Sequence, residues 1–300
     1  MAARAPVARP PAAGPRRGRR RAWKEGALGL ALVLPPLLVL VFLIVLPAAT
    51  AIVDTLTPDP TVKGLTPVLY ARLLGSRIVR SDIVFTVFVT LVSVAVTFGL
   101  SYPLALYLRF ARGRLAALLA VLFTIPLFVP VVIASFAMIT FLVNHGVIST
   151  VLYRLGVERF PPLVYNATGI VLTEVWASLP FAVLILGAGL QAIDDALIDG
   201  ARDVGAGRLR TFGSIILPLN VTPTMIALTL LFINVFGSFT IPYLVGGNAP
   251  QMLGVTMTNY LTQYLRRSEA VTMAVMAFAI SAVVGAVYVL SVSRRERGTV

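Results

Sequence analysis

The sequence predicts an all-α polytopic membrane protein with six transmembrane helices and both termini in the cytoplasm. Hydrophobic residues make up 58% of the 300 residues and charged residues only 12%, more apolar surface than a soluble core of this size needs to bury. Six stretches are long and apolar enough to cross about 30 Å of hydrocarbon, which takes roughly 20 residues in a helix. Lys and Arg, finally, gather on alternate connections between those stretches.

The first stretch, 27–52, and the second, 83–107, carry no charge. Both exceed the roughly 7–15-residue apolar segment of a cleavable signal peptide, so the first is expected to stay in the mature protein. The third lies within 115–143, the fourth within 164–193 with Glu174 as its only charge, the fifth within 215–247 and the sixth at 270–292. Residues 1–26 are rich in Arg, Pro, Ala and Gly and are expected to be a disordered basic tail. Residues 53–82 form an extracytoplasmic loop, 83–292 the core domain with an inner loop at 194–214, and 293–300 a second short tail. Between 215 and 265 no residue is charged, yet Gly246, Gly247 and Pro250 interrupt the run. The piece at 253–265 is too short to cross and is expected to be an outer-face or re-entrant helix.

Orientation follows from the 25 Lys and Arg residues. The tails, the 109–114 connection and the 202–210 connection hold 17 of them, against 8 on the opposite side, which places both termini inside. Pro103, Pro126, Pro130, Pro180, Pro223 and Pro242 fall within or near spans. They fit kinked helices around a cavity, or simply the general abundance of proline in membrane helices.

A formal charge of +13 raises nucleic acid as a partner, but the basic residues sit at the ends of apolar runs and form no stripe with interleaved aromatics. The sequence therefore predicts a lipid bilayer and no nucleic acid. Cysteine is absent and His145 is the single histidine, which excludes disulfides, thiolate sites and the usual metal or Ser-His-Asp groupings. No metal site, catalytic residue or cofactor is expected in this chain.

The 194–214 loop is longer and more charged than two neighbouring spans require. Over 195–206 its pattern fits a short helix, with Asp199 and Arg202 at i,i+3 and Ala201 and Gly205 stacked on one face for close approach by another surface. Asp199-Gly200 is equally a turn signal, and the charges are equally a solvated face.

At these residues the chain resembles a family. Asp199-Gly200-Ala201, then Gly205, then Ile215-Ile216-Leu217-Pro218, looks like the Glu-Ala-Ala loop of binding-protein-dependent ATP-binding-cassette (ABC) permeases, with Asp199 at the Glu position and Gly200 at the first Ala. Ile125-Pro126, Asn144-His145-Gly146-Val147-Ile148, Leu179-Pro180-Phe181, Ile193-Asp194, Phe236-Gly237-Ser238-Phe239 and Leu244-Val245-Gly246-Gly247 are similar in order and spacing to the spermidine/putrescine-type branch. The resemblance implies a MetI-like type I importer permease in the inner (plasma) membrane. It also implies that Asp199, Gly200, Ala201, Arg202, Asp203, Gly205, Ala206 and Arg208 belong to a coupling helix seated on a separate ATPase subunit. The chain has no Gly-x-x-x-x-Gly-Lys-Ser/Thr loop, so ATP is expected to be bound by that subunit and not here. The other partners implied are a second permease, identical or different, and an extracytoplasmic solute-binding protein facing loops such as 54–82.

Glu174 is a candidate for the solute path, because a buried unpaired carboxylate costs about 2.5–3.5 kcal/mol in a membrane. It can equally sit hydrated or paired near the outer interface. Ser238 and Phe239 join it as candidate pathway residues. Trp176 and Trp23 read as interfacial anchors. Asn166-Ala167-Thr168 and Asn220-Val221-Thr222 match the glycosylation sequon but carry no weight. The resemblance points to a polyamine-type solute, although a polycation path should offer several carboxylates and the sequence offers Glu174 and Asp82. Related permeases serve anions, iron carriers, phosphonates and sugars. An ion-coupled secondary transporter is the alternative. Such proteins place ion-coupling groups near the midplane and are built as internal repeats, whereas here Glu174 is the only carboxylate well inside a span and no repeat is visible. A membrane scaffold would leave the broken spans and the inner loop without a purpose.

Overall fold

The computed structural model describes residues 17–57, 64–157 and 161–297, with side chains for 29–57, 64–157 and 161–291, and every regular element among them is helical. Residues 1–54 and 55–300 form two compact units. The first comprises α1 (Arg17–Leu40), a π-helical turn at Val41–Val45 and most of α2 (Leu46–Leu56). Pro47 has no N–H to give the carbonyl one turn back. The widened turn in front of it, where Leu46 N–H bonds Val41 O, takes up that defect. Leu32, Phe42 and Leu43 are exposed along the Gly29–Leu56 span, as a lipid-facing helix requires. The helix begins at Arg17, so residues 17–26, expected to be disordered, are helical. Residues 1–16 and the Trp23 side chain lie outside the described residues.

The second unit opens with α3 (Val68–Gly75) and α4 (Arg77–Phe110). The 53–82 segment is therefore partly helical, and the second span starts at Arg77 rather than at residue 83. At 34 residues α4 is about 50 Å long, more than the bilayer core, so it projects beyond it.

The third expected span is not one helix. It divides into α5 (Arg114–Thr124), a 3-10 turn at Ile125–Phe128 and α6 (Val131–Leu142). Val129 is extended, as the residue ahead of Pro130 must be, and that breaks the helix. With α7 (Val147–Arg154), α6 makes the stretch long enough to cross. The fourth span is α8 (Ala167–Gln191).

The inner loop contains α9 (Asp195–Asp203) and α10 (Arg208–Thr211), followed by a π turn, α11 (Leu217–Leu219) and α12 (Val221–Phe236). The fifth span is thus bent, by 65° at Asn220. After α13 (Thr240–Val245), the expected short helix appears as α14 (Leu253–Thr262), and α15 (Arg267–Arg297) forms the last span and carries residues 293–297 of the expected tail as helix.

The centre of this unit is α4 packed on α8, with α12 against both. On α4, Thr86, Thr90, Ser93, Thr97 and Ser101 recur at helical spacing and are all fully buried. Small side chains on one face let helices approach closely where lipid supplies no hydrophobic drive. Leu186, Leu190, Ile193 and Ile198 gather at the α9 end, while Val89, Ile170, Val245 and Met252 gather at the other.

Asp82, on the first turns of α4, fastens α14. Its Oδ1 accepts from Gln251 N–H at 3.0 Å and its Oδ2 from the Thr256 hydroxyl at 2.7 Å, while Thr86 Oγ1 accepts from Leu253 N–H at 2.8 Å. The start of α14 is therefore capped by another helix.

Gly189 meets the bend of the fifth span so closely that a Cβ there would overlap Asn220 Oδ1 and the Pro223 ring, whereas Gly187 faces open space. Gly189→Leu is expected to overpack this contact by about 1–3 kcal/mol. Thermal unfolding in detergent should then fall by roughly 5 °C. Gly187→Ala should leave the midpoint unchanged.

Candidate functional site

The inner loop is built from its caps inward. Asp194 Oδ1 accepts from Ala196 N–H at 2.9 Å, and Asp195 adds a negative charge to the first turn, where the helix dipole favours it. The helix ends by a Schellman pattern, with Ala206 N–H to Ala201 O and Gly205 N–H to Arg202 O, both at 2.9 Å, and with Gly205 at φ +81°. This corrects the expected helix over 195–206. It stops at Asp203, and Gly205, needed for its left-handed backbone, does not stack above Ala201. Asp199, Gly200, Arg202, Asp203, Gly205 and Arg208 are exposed, and Ala201 and Ala206 are half-buried. The expected Asp199–Arg202 pair forms at 3.2 Å but is largely solvated, so it contributes little stability.

One face of α9 is fixed: Ile198 is buried among Leu190, Ile193 and Ile216. Leu197 of α9, Val204 at its end and Leu209 of α10 are exposed, the last two at 85% and 88%.

Arg109, at the end of α4, ties this loop to the helix core. Its Nε donates to Leu190 O at 3.1 Å, and its Nη2 donates to Ile193 O at 3.2 Å and to the Asp195 carboxylate. The guanidinium therefore holds a carbonyl in the last turn of α8, one just beyond it and the first residue of α9 in one grip. In the sequence Arg109 is only a positive charge closing an apolar run, and no spacing rule marks it as a strut.

Toward the other end of α8 lies a cavity of about 510 Å³. Glu174, Ser178 and Phe181 of α8 face it, together with Asn234 of α12, Ser238 and Phe239 of the break between α12 and α13, and Thr240. All three expected pathway residues thus line one space. The break is what presents Ser238 and Phe239, and interrupted helices within a membrane are tolerated where they line a cavity. Glu174 is 2% exposed, with the Ser238 hydroxyl beside it, and its Oε1 has no hydrogen-bond partner. Glu174 is thus shielded from the outer surface of this chain and faces the cavity. Asn234 was not anticipated: nothing in its neighbours distinguishes it from any polar residue in a span.

Other singled-out residues have local roles. Asn166 caps α8 by accepting from Gly169 N–H at 3.1 Å, and Asn220 is fully buried, so neither sequon is an open acceptor loop. His145 is exposed, in the turn between α6 and α7. Trp176 is half-buried. No group of three or more His, Cys, Asp or Glu suited to a metal occurs among the described residues.

Comparison with known proteins places these features. The family model described as the inner membrane component of binding-protein-dependent transport systems matches residues 95–297. The chain is 30% identical to a sulfoquinovosyl glycerol transport permease of Agrobacterium fabrum, over 90% of this chain and 91% of that protein. It is 32% identical to a trehalose/maltose transport permease of Thermococcus litoralis, over 76% and 80% respectively. It is also 29% identical to a spermidine/putrescine transport permease of Escherichia coli, over 52% and 57%. A bacterial ABC transporter that imports the acidic polysaccharide alginate contains a chain of the same fold, at TM-score 0.77 and 19% identity, covering 92% of this chain and 99% of that one. With the broken spans, the inner loop and these matches together, the chain belongs to the binding-protein-dependent transport inner membrane family, and is a multi-pass permease of an ABC importer rather than an enzyme.

Proposed function

We propose that this permease conducts a neutral, hydroxyl-rich solute through the cavity around Ser238, and that the 194–214 segment receives the stroke of a separate ATPase subunit. The observation that carries the solute reading is the cavity lining. One amide, three hydroxyls, one carboxylate and two aromatic rings surround a space suited to a disaccharide-sized molecule. Hydroxyl groups are matched by just such amides and hydroxyls, and sugar faces stack on rings. The relative from Thermococcus litoralis, named for trehalose/maltose transport, supports a neutral sugar, and the one from Agrobacterium fabrum, named for a sulfonated glycoside, supports a sugar but not its neutrality.

A polyamine is the second reading, favoured by the unpartnered Glu174 Oε1 and by the relative from Escherichia coli. One carboxylate offsets only one of several ammonium charges, so the first reading is preferred. Trehalose, maltose, sucrose and putrescine, each radiolabelled, can be compared in proteoliposomes holding the complete importer. Ser238→Leu and Asn234→Leu should cut sugar uptake about tenfold, the effect of losing some 1.4 kcal/mol of binding. Glu174→Gln should retain most of it. Uptake of putrescine alone, abolished by Glu174→Gln, would replace the sugar reading with the polyamine one.

On the coupling side, ATP is hydrolysed by the partner, because this chain has no phosphate-cradling loop. Exposed Leu197, Val204 and Leu209 supply apolar contact, and Gly200, with open space around it, admits a close approach. The loop lies on the cytoplasmic side with both termini, as the distribution of Lys and Arg indicates. A second permease completes the path, and an extracytoplasmic binding protein delivers the solute.

Arg109 positions this loop, so Arg109→Leu should lower solute moved per ATP hydrolysed while leaving hydrolysis itself in place. The expected fall is about tenfold, since charged hydrogen bonds are worth about 1.5–3 kcal/mol each. The reversed pair Arg109→Asp with Asp195→Arg should recover part of the ratio. An unchanged ratio in Arg109→Leu would remove the strut from the mechanism.

A further inference from the structure

A second cavity, of about 610 Å³, lies at the end of α4 remote from Arg109, between the first turns of α4, α13 and α14. The 27 residues from Asp82 to Arg109 put the two ends about 40 Å apart. Tyr243, Tyr260 and Tyr264 line it, and Tyr243 and Tyr264 are 53% and 60% exposed. Tyr260 and Tyr264 meet edge-on at 5.3 Å. Beside them runs an amide ladder: Asn259 Nδ2 donates to Gln251 Oε1 at 2.9 Å, and Gln263 Nε2 donates to Asn259 Oδ1 at 3.1 Å. Gln251 Nε2 and Gln263 Oε1 stay available at its ends.

Asp82 also lines this cavity, but it is turned to a structural task. Both Asp82 oxygens are already used in fastening α14, and nearby Glu269 is paired with Arg266 at 3.5 Å and with Arg72 at 4.0 Å. Phenol rings and amides around one carboxylate already bonded at both oxygens match a molecule with many hydroxyls and a face to stack.

The two cavities share a wall. α13 contributes Thr240 and Ile241 to the inner one and Pro242 and Tyr243 to the outer one. Phe239 of the inner cavity stacks on Tyr243 of the outer, with centroids 5.2 Å apart and rings tilted by 26°. An aromatic surface thus continues from one space to the next.

We propose that the outer cavity is a second solute site, a vestibule that holds a neutral, hydroxyl-rich molecule before it reaches the Ser238 cavity. The solute class rests on the reading given above, while occupancy of the outer site is separable from it. Tyr243, Tyr260 and Tyr264 stack the molecule, and Gln251 and Gln263 orient it.

The protein has no cysteine, so single-cysteine variants report one position each. Gln263→Cys for the outer cavity and Ser238→Cys for the inner one can be labelled with a maleimide in the assembled importer, with trehalose, maltose, sucrose or putrescine added. At twice its Kd a sugar leaves a third of sites free, so labelling of Gln263→Cys should slow about threefold. That protection should vanish when Tyr260→Ala and Tyr264→Ala are added. In the cysteine-free background those two changes should raise the KM for uptake about fivefold at unchanged kcat.

Protection of Ser238→Cys without Gln263→Cys overturns the vestibule and leaves the inner path standing. Protection of neither by any sugar overturns both. Protection of Gln263→Cys by putrescine alone, or by the unliganded binding protein alone, overturns the proposal in favour of a cation site or a docking socket.

Discussion

The rest of the structure depends on α8 being fastened at both ends. A helix satisfies its own backbone except in its first and last turns, where side chains or water must supply the missing partners. Asn166 closes the first turn from its own chain neighbourhood, and Arg109, from α4, closes the last. Between those two points α8 packs on the buried hydroxyl face of α4 and on the bend at Asn220. Asp82 does for α14 what Arg109 does for α8, again from α4. One long helix therefore carries, at its two ends, the polar groups that hold two other helices in place.

This arrangement joins both candidate regions through one continuous helix. Glu174 and Ser178 face the inner cavity from the first half of α8, and about 24 Å further along Leu190 meets Arg109 and the loop that carries α9. Arg109 and the packing of Ile198 connect α9 directly to α8. The interruptions of regular helix lie elsewhere, at the π turn before Leu217, the 65° bend at Asn220 and the break at Ser238. A stiff helix facing a bent one across a cavity is a geometry in which motion at one end can change the space at the other.

Much of the candidate site was legible in the residues. Glu174 stands out as a carboxylate in an apolar run, and the inner loop stands out because its length and charge have no topological use. Both signals are local, and both led to groups that lie in a cavity or on an exposed surface. What misled was equally local. A helical pattern over 195–206 ignores the left-handed backbone of Gly205, and an apolar run over 115–143 hides the break that Pro130 imposes. The segment 53–82 is expected to be an extracytoplasmic loop, yet α3 and the start of α4 form there, α3 packing on α15 and α4 on α14.

Hydrophobic length and the distribution of charge, by themselves, determined that this chain is a bundle of membrane helices with an unusual inner loop, because the bilayer leaves few alternatives for apolar runs of that size. Only the tertiary structure decided that Arg109 grips α8 and α9 together, that Asp82 caps a helix 169 positions away at Gln251, and that α13 divides two cavities. Those contacts join residues whose sequence neighbours hold no trace of the partner, so they exist only once the helices have packed.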